Sequence, residues 1–179
     1  RVPIHLAEVV QETARLAKVT LPPSVDLQTV IVDDSMAVLA DATQVEQALL
    51  NLCTNAILAI GQQKGSVLVE LHSATLQDSE ARQVGVPVGR FVTVRVSDTG
   101  YGMTQETLAR IFEPFFTTRE VGQGTGLGLS VVHGIMQTHQ GAVKVTSTPG
   151  KGSVFTLFFP VTEDAAAAPV EFAPAVKVQ

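Results

Sequence analysis

Cysteine occurs once in the 179 residues, as Cys53, and tryptophan does not occur at all. A single cysteine excludes an internal disulfide framework. It lies in an apolar helical pattern, which suits a buried thiol better than a reactive one. Charge is also scarce: 12 basic and 17 acidic side chains make up 16% of the chain and leave a net charge of −5. Nonspecific nucleic-acid binding is a poor fit for such a balance, because a polyanion would meet no excess of cations. If a phosphate is bound, backbone N–H groups or a metal must hold it. No apolar run is long enough to span a bilayer, so no direct membrane contact is expected. A signal peptide is lacking too, since Arg1-Val2-Pro3-Ile4-His5 opens the sequence without an initiator Met. The expectation is a cytoplasmic piece of something longer.

What is present is apolar: 45% of the residues are hydrophobic. That is enough for a core, and the length fits one domain with a tail. Helical periodicity runs from Leu6 to Val19 and stops at Pro22-Pro23. Val25 to Val32 and Val38-Leu39-Ala40 read as strands. A long helix is predicted from about Thr43 to Ile60, with Asp41 and Thr43 competing for its N-cap and Gly61 as its stop. Ser66 to Ser73 and Arg90 to Val96 alternate as strands, with the polar stretch Leu76 to Gly89 as a loop between them. Thr104 caps a short helix through Phe112, Glu113 to Gly126 is loop, and Leu127 to His139 is helical. Ala142 to Thr146 and Ser153 to Phe159 are strands joined by a turn at Pro149-Gly150-Lys151-Gly152. After Pro160 the composition shifts to Ala, Pro and Val. The domain is therefore placed at 1–161, and 162–179 reads as a linker or disordered tail. Strands in adjacent pairs favour an α+β sandwich, with a mixed, mostly antiparallel sheet covered on one face by about three helices.

Four features carry chemistry. Gly122, Gly124, Gly126 and Gly128 alternate just before a helix, where backbone N–H groups and the helix N-terminus can receive phosphates. A glycine hinge without a ligand explains that loop equally well. Neither GxGxxG nor the P-loop fits, because Leu127 or Leu129 takes the third glycine position and Gly150-Lys151 is followed by Gly152. Asn51 and Asn55 lie one turn apart on one flank of an apolar helix, and an amide carbonyl is a hard-oxygen ligand suited to Mg²⁺. Taken alone, the pair reads more simply as a solvated face. Asp98 ends a strand before Thr99-Gly100-Tyr101-Gly102-Met103 and could accept from an exocyclic amino group, although an Asx-capped turn is the plainer reading. Phe112-Glu113-Pro114-Phe115-Phe116 brings aromatics into a loop, as lid anchors or as local core.

In that order, these features resemble the catalytic, ATP-binding domain of sensor histidine kinases. Its superfamily also contains DNA gyrase B, MutL and an ATP-dependent chaperone. The N box is matched by Gln47 to Ala56, the first G box by Asp98 to Met103 and the F box by Phe112 to Phe116. Gly124 to Leu129 matches the second G box, and Gly150 to Phe155 the third. The N and F boxes look most like the nitrogen-sensing subclass and related hybrid kinases. The resemblance covers roughly Val2 to Val161 and implies a fold with a mobile ATP lid from Glu113 to Gly124, pinned by Phe115 and Phe116. It implies Asn55 as the Mg²⁺ ligand, Asn51 facing the phosphates and Asp98 receiving the adenine amino group. Gly100 and Gly102 would let the base approach, and Gly124, Gly126 and Gly128 would wrap the phosphates. Ala59, Met103, Ile111, Thr125, Leu127, Leu129 and Phe155 complete the implied contacts, with Phe115 among them. Arg119 stands where this subclass has Lys, keeping a cation near the γ-phosphate in a different geometry.

ATP and Mg²⁺ are thus the expected cofactors, and the expected activity is phosphoryl transfer to a histidine on another domain. In the hydrolases of this superfamily a glutamate activates water at the position of Asn51, and an asparagine cannot serve as that base. A Ser/Thr-directed kinase of the same superfamily, or a nucleotide-sensing module without turnover, is the alternative. The phosphoacceptor usually has an acidic residue right after it. His5, His72, His133 and His139 precede Leu6, Ser73, Gly134 and Gln140, so none fits. His133 and His139 are expected to pack on or cap their own helix. The acceptor helices, which also dimerise, are expected upstream of Arg1. A response-regulator receiver domain is the expected downstream partner, to which the Ala/Pro tail would lead.

Overall fold

The computed structural model describes residues 1–117, 128–163 and 170–172. In chain order the elements are β1 (Val2–Ile4), α1 (Ala7–Val19), β2 (Val25–Ile31), β3 (Ala37–Ala40), α2 (Ala42–Ile60) and β4 (Gly65–Leu76). They continue with α3 (Asp78–Val84), β5 (Gly89–Asp98), α4 (Gln105–Leu108), α5 (Gly128–Thr138), β6 (Ala142–Thr148) and β7 (Gly152–Thr162). The strands form one sheet in the order β1-β3-β7-β5-β4-β2, with β6 also paired to β7. Every pairing is antiparallel except β2 with β4. The expected α+β sandwich with a mixed, mostly antiparallel sheet is what forms.

The main core lies between the sheet and α1, α2 and α5. Val9 and Val10 of α1, Val45, Leu49 and Leu52 of α2, and Val132 and Met136 of α5 are buried against Leu71, Val94, Leu157 and Phe159 of the strands. Burying a side chain of this size contributes about 1.5–3 kcal/mol, so α2, apolar on most of its circumference, is held chiefly by packing. Cys53 is part of this core, and burial pushes its thiol up to about 12, which makes it inert.

Of the two candidate caps for α2, Asp41 takes the role: its Oδ1 accepts from the Gln44 N–H at 3.1 Å. The helix ends at Gly61, whose φ of +67° is the conformation that glycine tolerates. His139 ties this cap to α5. Its Nδ1–H donates to Ile135 O at 2.8 Å, and its Nε2 accepts from the Asp41 N–H at 3.1 Å. Both bonds together require the neutral ring. Burial is the main cause that holds the His139 pKa below its ordinary value. The unfolded chain then binds a proton that the folded chain refuses. This contribution to stability is complete above the unfolded histidine value near 6.5 and is lost as pH falls through and below it. Thermal melts from pH 7.5 to 5 should show that loss, and His139→Gln should flatten it. An equal slope in the variant would rule His139 out as its source.

The stretch expected to be a loop, Leu76 to Gly89, instead contains α3. Ala81 of α3 packs with Leu76, Phe91 and Phe158, flanked by Val84 and Val86, in a small second core. Phe91 and Phe158 alternate with Val92, Leu157 and Phe159, so they face the side of the sheet away from α1, α2 and α5. The helix is short and its polar positions dominate, which is why the pattern reads as loop. β1 leaves no signal in the sequence, because three residues are too few to display alternation. In the tail, Val170 and Phe172 rest partly buried against the main core.

Candidate nucleotide site

Asp98 ends β5, opposite Val67 of β4, and is only 7% exposed. Its Oδ1 accepts from the Gly100 N–H at 2.8 Å, so the Asx turn forms, and it forms around a buried carboxylate. Burial raises the Asp98 pKa above its ordinary value, while the backbone N–H groups of Gly100 and Ser153 work the other way. A carboxylate kept in such a place has acceptor capacity that two backbone donors do not exhaust.

The loop after Asp98 is clamped between α2 and the β6–β7 hairpin. Tyr101 N–H donates to Ala59 O at 3.2 Å, and a Cβ at Gly100 would lie 2.7 Å from that carbonyl. Gly102 has φ +69°, and a Cβ there would come within 2.1 Å of Thr148 O. Both glycines are therefore required by chain-to-chain approach, whatever they do for a ligand. Ser147 supports the same seam: its Oγ accepts from the Met103 N–H at 2.8 Å and donates to Gly152 O at 3.1 Å. Gly152 in turn presses on Asp98, since a Cβ there would lie 2.0 Å from Asp98 O. The sequence alone gives Ser147 no positioning role and marks Gly152 only as part of a glycine-rich turn.

Asn51 and Asn55 sit on α2, both partly buried. The Asn51 Nδ2 donates to Gly128 O, the first residue of α5, at 3.3 Å. The amide thus links α2 to the N-terminal end of α5. Leu129 and Met103 pack partly buried against the core. Ile111 and Phe155 are buried, at 5% and 2% exposure. Phe155 lies opposite Val96 and Val145 in the sheet and faces the main core.

The two phenylalanines expected to pin the lid part company. Phe116 packs against the core with the Arg110 guanidinium 4.5 Å above its ring, and Arg110 also meets Glu113 at 2.9 Å. Phe115, with φ +67°, is 74% exposed. The left-handed turn at that residue throws successive side chains apart. Phe112 packs beside His133 of α5, with ring centroids 5.3 Å apart and planes tilted by 33°. Arg119, Gly122, Gly124, Thr125, Gly126 and Leu127, with most of the expected lid, lie outside the described residues.

Known proteins match this arrangement. The model of the family described as histidine kinase-, DNA gyrase B- and HSP90-like ATPase matches residues 40–163. Sensor histidine kinase ZraS of Escherichia coli is 44% identical over 122 residues, 68% of this chain and 23% of ZraS. Sensor kinase CckA of Brucella abortus is 40% identical over 128 residues, 71% of this chain and 13% of CckA. Sporulation kinase E of Bacillus subtilis is 33% identical over 162 residues, 90% of this chain and 20% of that protein. The chain therefore spans about a fifth of the length of such relatives. Among solved structures, the catalytic domain of histidine kinase ThkA is 29% identical with a TM-score of 0.69, over 88% of this chain and 93% of that one. Full-length ShkA in complex with AMPPNP is 28% identical with a TM-score of 0.72, over 93% of this chain and 32% of that one. A family match over most of the fold, carried by the strands and helices that frame Asp98 and Asn51, leads to one conclusion: the chain belongs to the histidine kinase-, DNA gyrase B- and HSP90-like ATPase family, as an ATP-binding domain of the histidine-kinase kind.

Proposed function

We propose that this domain binds Mg-ATP and presents the γ-phosphoryl group to a histidine on a separate dimerisation and phosphoacceptor domain, from which it passes to a response-regulator receiver domain. The observation that carries the reading is Asp98. A buried, acceptor-only carboxylate at the seam of β5, β7 and α2 matches the amino donor of adenine, and ShkA, solved with an ATP analogue, shares this fold. In this reading residues 1–161 are the nucleotide-binding unit and 162–179 the connection onward.

Among the described residues no cluster of three or more His, Cys, Asp or Glu could hold a metal. A divalent ion would then rely on phosphate oxygens and water, with a single protein oxygen from Asn55. That donor set suits Mg²⁺, which keeps several waters and needs few protein ligands. When bound, it would offset charge on the transferring phosphoryl group. Asn51 has no basic lone pair with which to activate water, so hydrolysis would not compete with transfer. Arg119 is the cation this reading assigns to the γ-phosphate.

The histidines of the chain fit a donor domain. His139 is 3% exposed and uses both ring nitrogens internally, and His72 Nε2 is engaged by Glu70 at 3.3 Å. The chain incubated with labelled ATP and Mg²⁺ should bind nucleotide and remain unlabelled, then label a separately supplied acceptor domain slowly, since linkage no longer supplies effective concentration. Acid-labile label on His5, His72, His133 or His139 would overturn the assignment.

Asn55→Ala gives the sharper test. The variant should bind ADP without Mg²⁺ as well as the parent, gain little affinity when Mg²⁺ is added, and lose transfer more than binding. Calorimetric titrations with and without Mg²⁺, alongside a melt, would read this. A preserved Mg²⁺ response with a lowered melting temperature would make Asn55 structural and leave Asn51 as the ligand.

A further inference from the structure

The face of the sheet turned away from α1, α2 and α5 is only partly covered by α3. Beside the small α3 core it leaves an open depression of about 320 Å³ across β4, β5, β7 and β6, with His72, Arg95, Lys144, Thr146 and Thr156 among its lining. The sheet register orders these side chains. Arg95 of β5 and Lys144 of β6 are both direct partners of Thr156 on β7. Two inter-strand spacings put their Cα atoms about 10 Å apart, with a hydroxyl between them. That is within reach for both long side chains to converge on one group above Thr156.

Both cations are exposed, and neither makes an ion pair among the described residues. Arg95 has an obvious partner in Glu70, which lies directly opposite it in β4. Glu70 turns instead to His72 on its own strand, at 3.3 Å. Glu70 is thus already engaged, and among the described residues that line the depression there is no carboxylate. In a chain of net charge −5, two cations without an ion pair among the described residues face one hydroxyl from either side of it. Phe158, Val154 and Ala74 give the same depression an apolar margin.

We propose that this depression is a second anion site, distinct from the nucleotide site, that takes the phosphate of a small phosphomonoester. Arg95 and Lys144 would each donate charge-assisted hydrogen bonds to the phosphate, Thr156 Oγ1 would donate a third, and the apolar margin would take the carbon part of the ligand. Arginine's planar fork suits a tetrahedral oxyanion, and one doubly charged phosphate is matched by the two cations. The site is independent of the nucleotide reading, because it lies on the opposite face of the sheet and shares none of the proposed nucleotide residues.

The test is a two-dimensional amide NMR titration of the chain with sodium phosphate and then glycerol 3-phosphate, at constant ionic strength, with glycerol as control. Saturable shifts centred on Arg95, Lys144, Thr146 and Thr156 are expected with both phosphates and not with glycerol. Arg95→Gln and Lys144→Gln should each weaken that binding roughly tenfold, the loss of one charge-assisted hydrogen bond, and Arg95→Lys should keep part of it. Their melting temperatures should match the parent, since both side chains are exposed. Non-saturating shifts, shifts confined to residues near Asp98 and Asn51, or unchanged affinity in both Gln variants would overturn the proposal. Saturation by hexaglutamate but by neither phosphate would also overturn it, in favour of an acidic protein segment.

Discussion

Gly152→Ala is expected to destabilise the domain by about 2–5 kcal/mol, combining a left-handed backbone penalty with forced overpacking. Gly152 has φ +96°, and its new Cβ would sit 2.0 Å from the Asp98 carbonyl oxygen and 3.1 Å from Thr99 Cα. Both obstacles are backbone, so no rotamer change relieves them. β7 would have to move away from the end of β5, loosening the seam that holds Asp98. For a chain of this size each kcal/mol lowers the melting temperature by about 2–4 °C. Gly85→Ala is the matched control: φ is +85°, yet its Cβ would meet nothing within 4 Å. Only the backbone penalty should appear there. If Gly152→Ala melted no lower than Gly85→Ala, the close approach of β7 to Asp98 would be refuted.

Asp98→Asn should separate stability from binding by moving them in opposite directions. The Asp98 pKa is raised mainly by burial, so the folded chain holds this proton to higher pH than the unfolded chain does. The stability it contributes is complete below the unfolded value near 3.9 and is lost as pH rises through the folded value. Above that folded value the buried carboxylate is charged, and its burial costs stability. Asparagine removes the charge and keeps an oxygen to accept from the Gly100 N–H. The melting temperature at pH 7 should therefore hold or rise. Nucleotide affinity should fall roughly tenfold to a hundredfold, the worth of a charge-assisted hydrogen bond. Adenine should also lose its advantage over guanine, because the new amide can donate where the carboxylate only accepts. A variant that melts lower and binds ATP as tightly as the parent would make Asp98 a structural cap.

The parts of this molecule that were legible in the sequence are those governed by periodicity. α2 is readable because its apolar residues recur at helical spacing, eight of them buried, and β5 because Val92, Val94 and Val96 alternate with polar residues. Asp98, Asn51 and the aromatic box stand out in the sequence as unusual residue types at element ends or in mid-helix, and the structure places Asp98 in a buried Asx turn and Asn51 against the start of α5. Other features were hidden, for separate reasons. α3 is amphipathic over too few turns to beat its polar composition. The work of Gly100, Gly102 and Gly152 against Ala59, Thr148 and Asp98 depends on contacts between segments up to about fifty residues apart, which no local pattern encodes. Phe115 and Phe116 are identical in type, and only the left-handed turn at Phe115 decides which one packs. Asp41 is the cap of α2, and its own N–H is held by His139, 98 residues away, a contact that no local pattern encodes. The nitrogen-sensing resemblance rests on the N and F boxes alone, since none of the relatives named above carries it.

β7 has a mechanical role that follows from its pairings. Most of its length is laddered to β5 and β6, but near its end Val161 and Thr162 pair with Val38 and Ala37 of β3, which pairs with β1. β1 and β7 therefore run in the same direction with β3 between them. Tension applied along the chain through residue 1 and residue 162 would load these strands in shear, so that their rungs resist together and not one after another. The joint between β3 and β7 has two register pairs, whereas β4 and β5 share ten. A pull strong enough to part the sheet would part it at that joint, and the ladder that ends in Asp98 would stay closed.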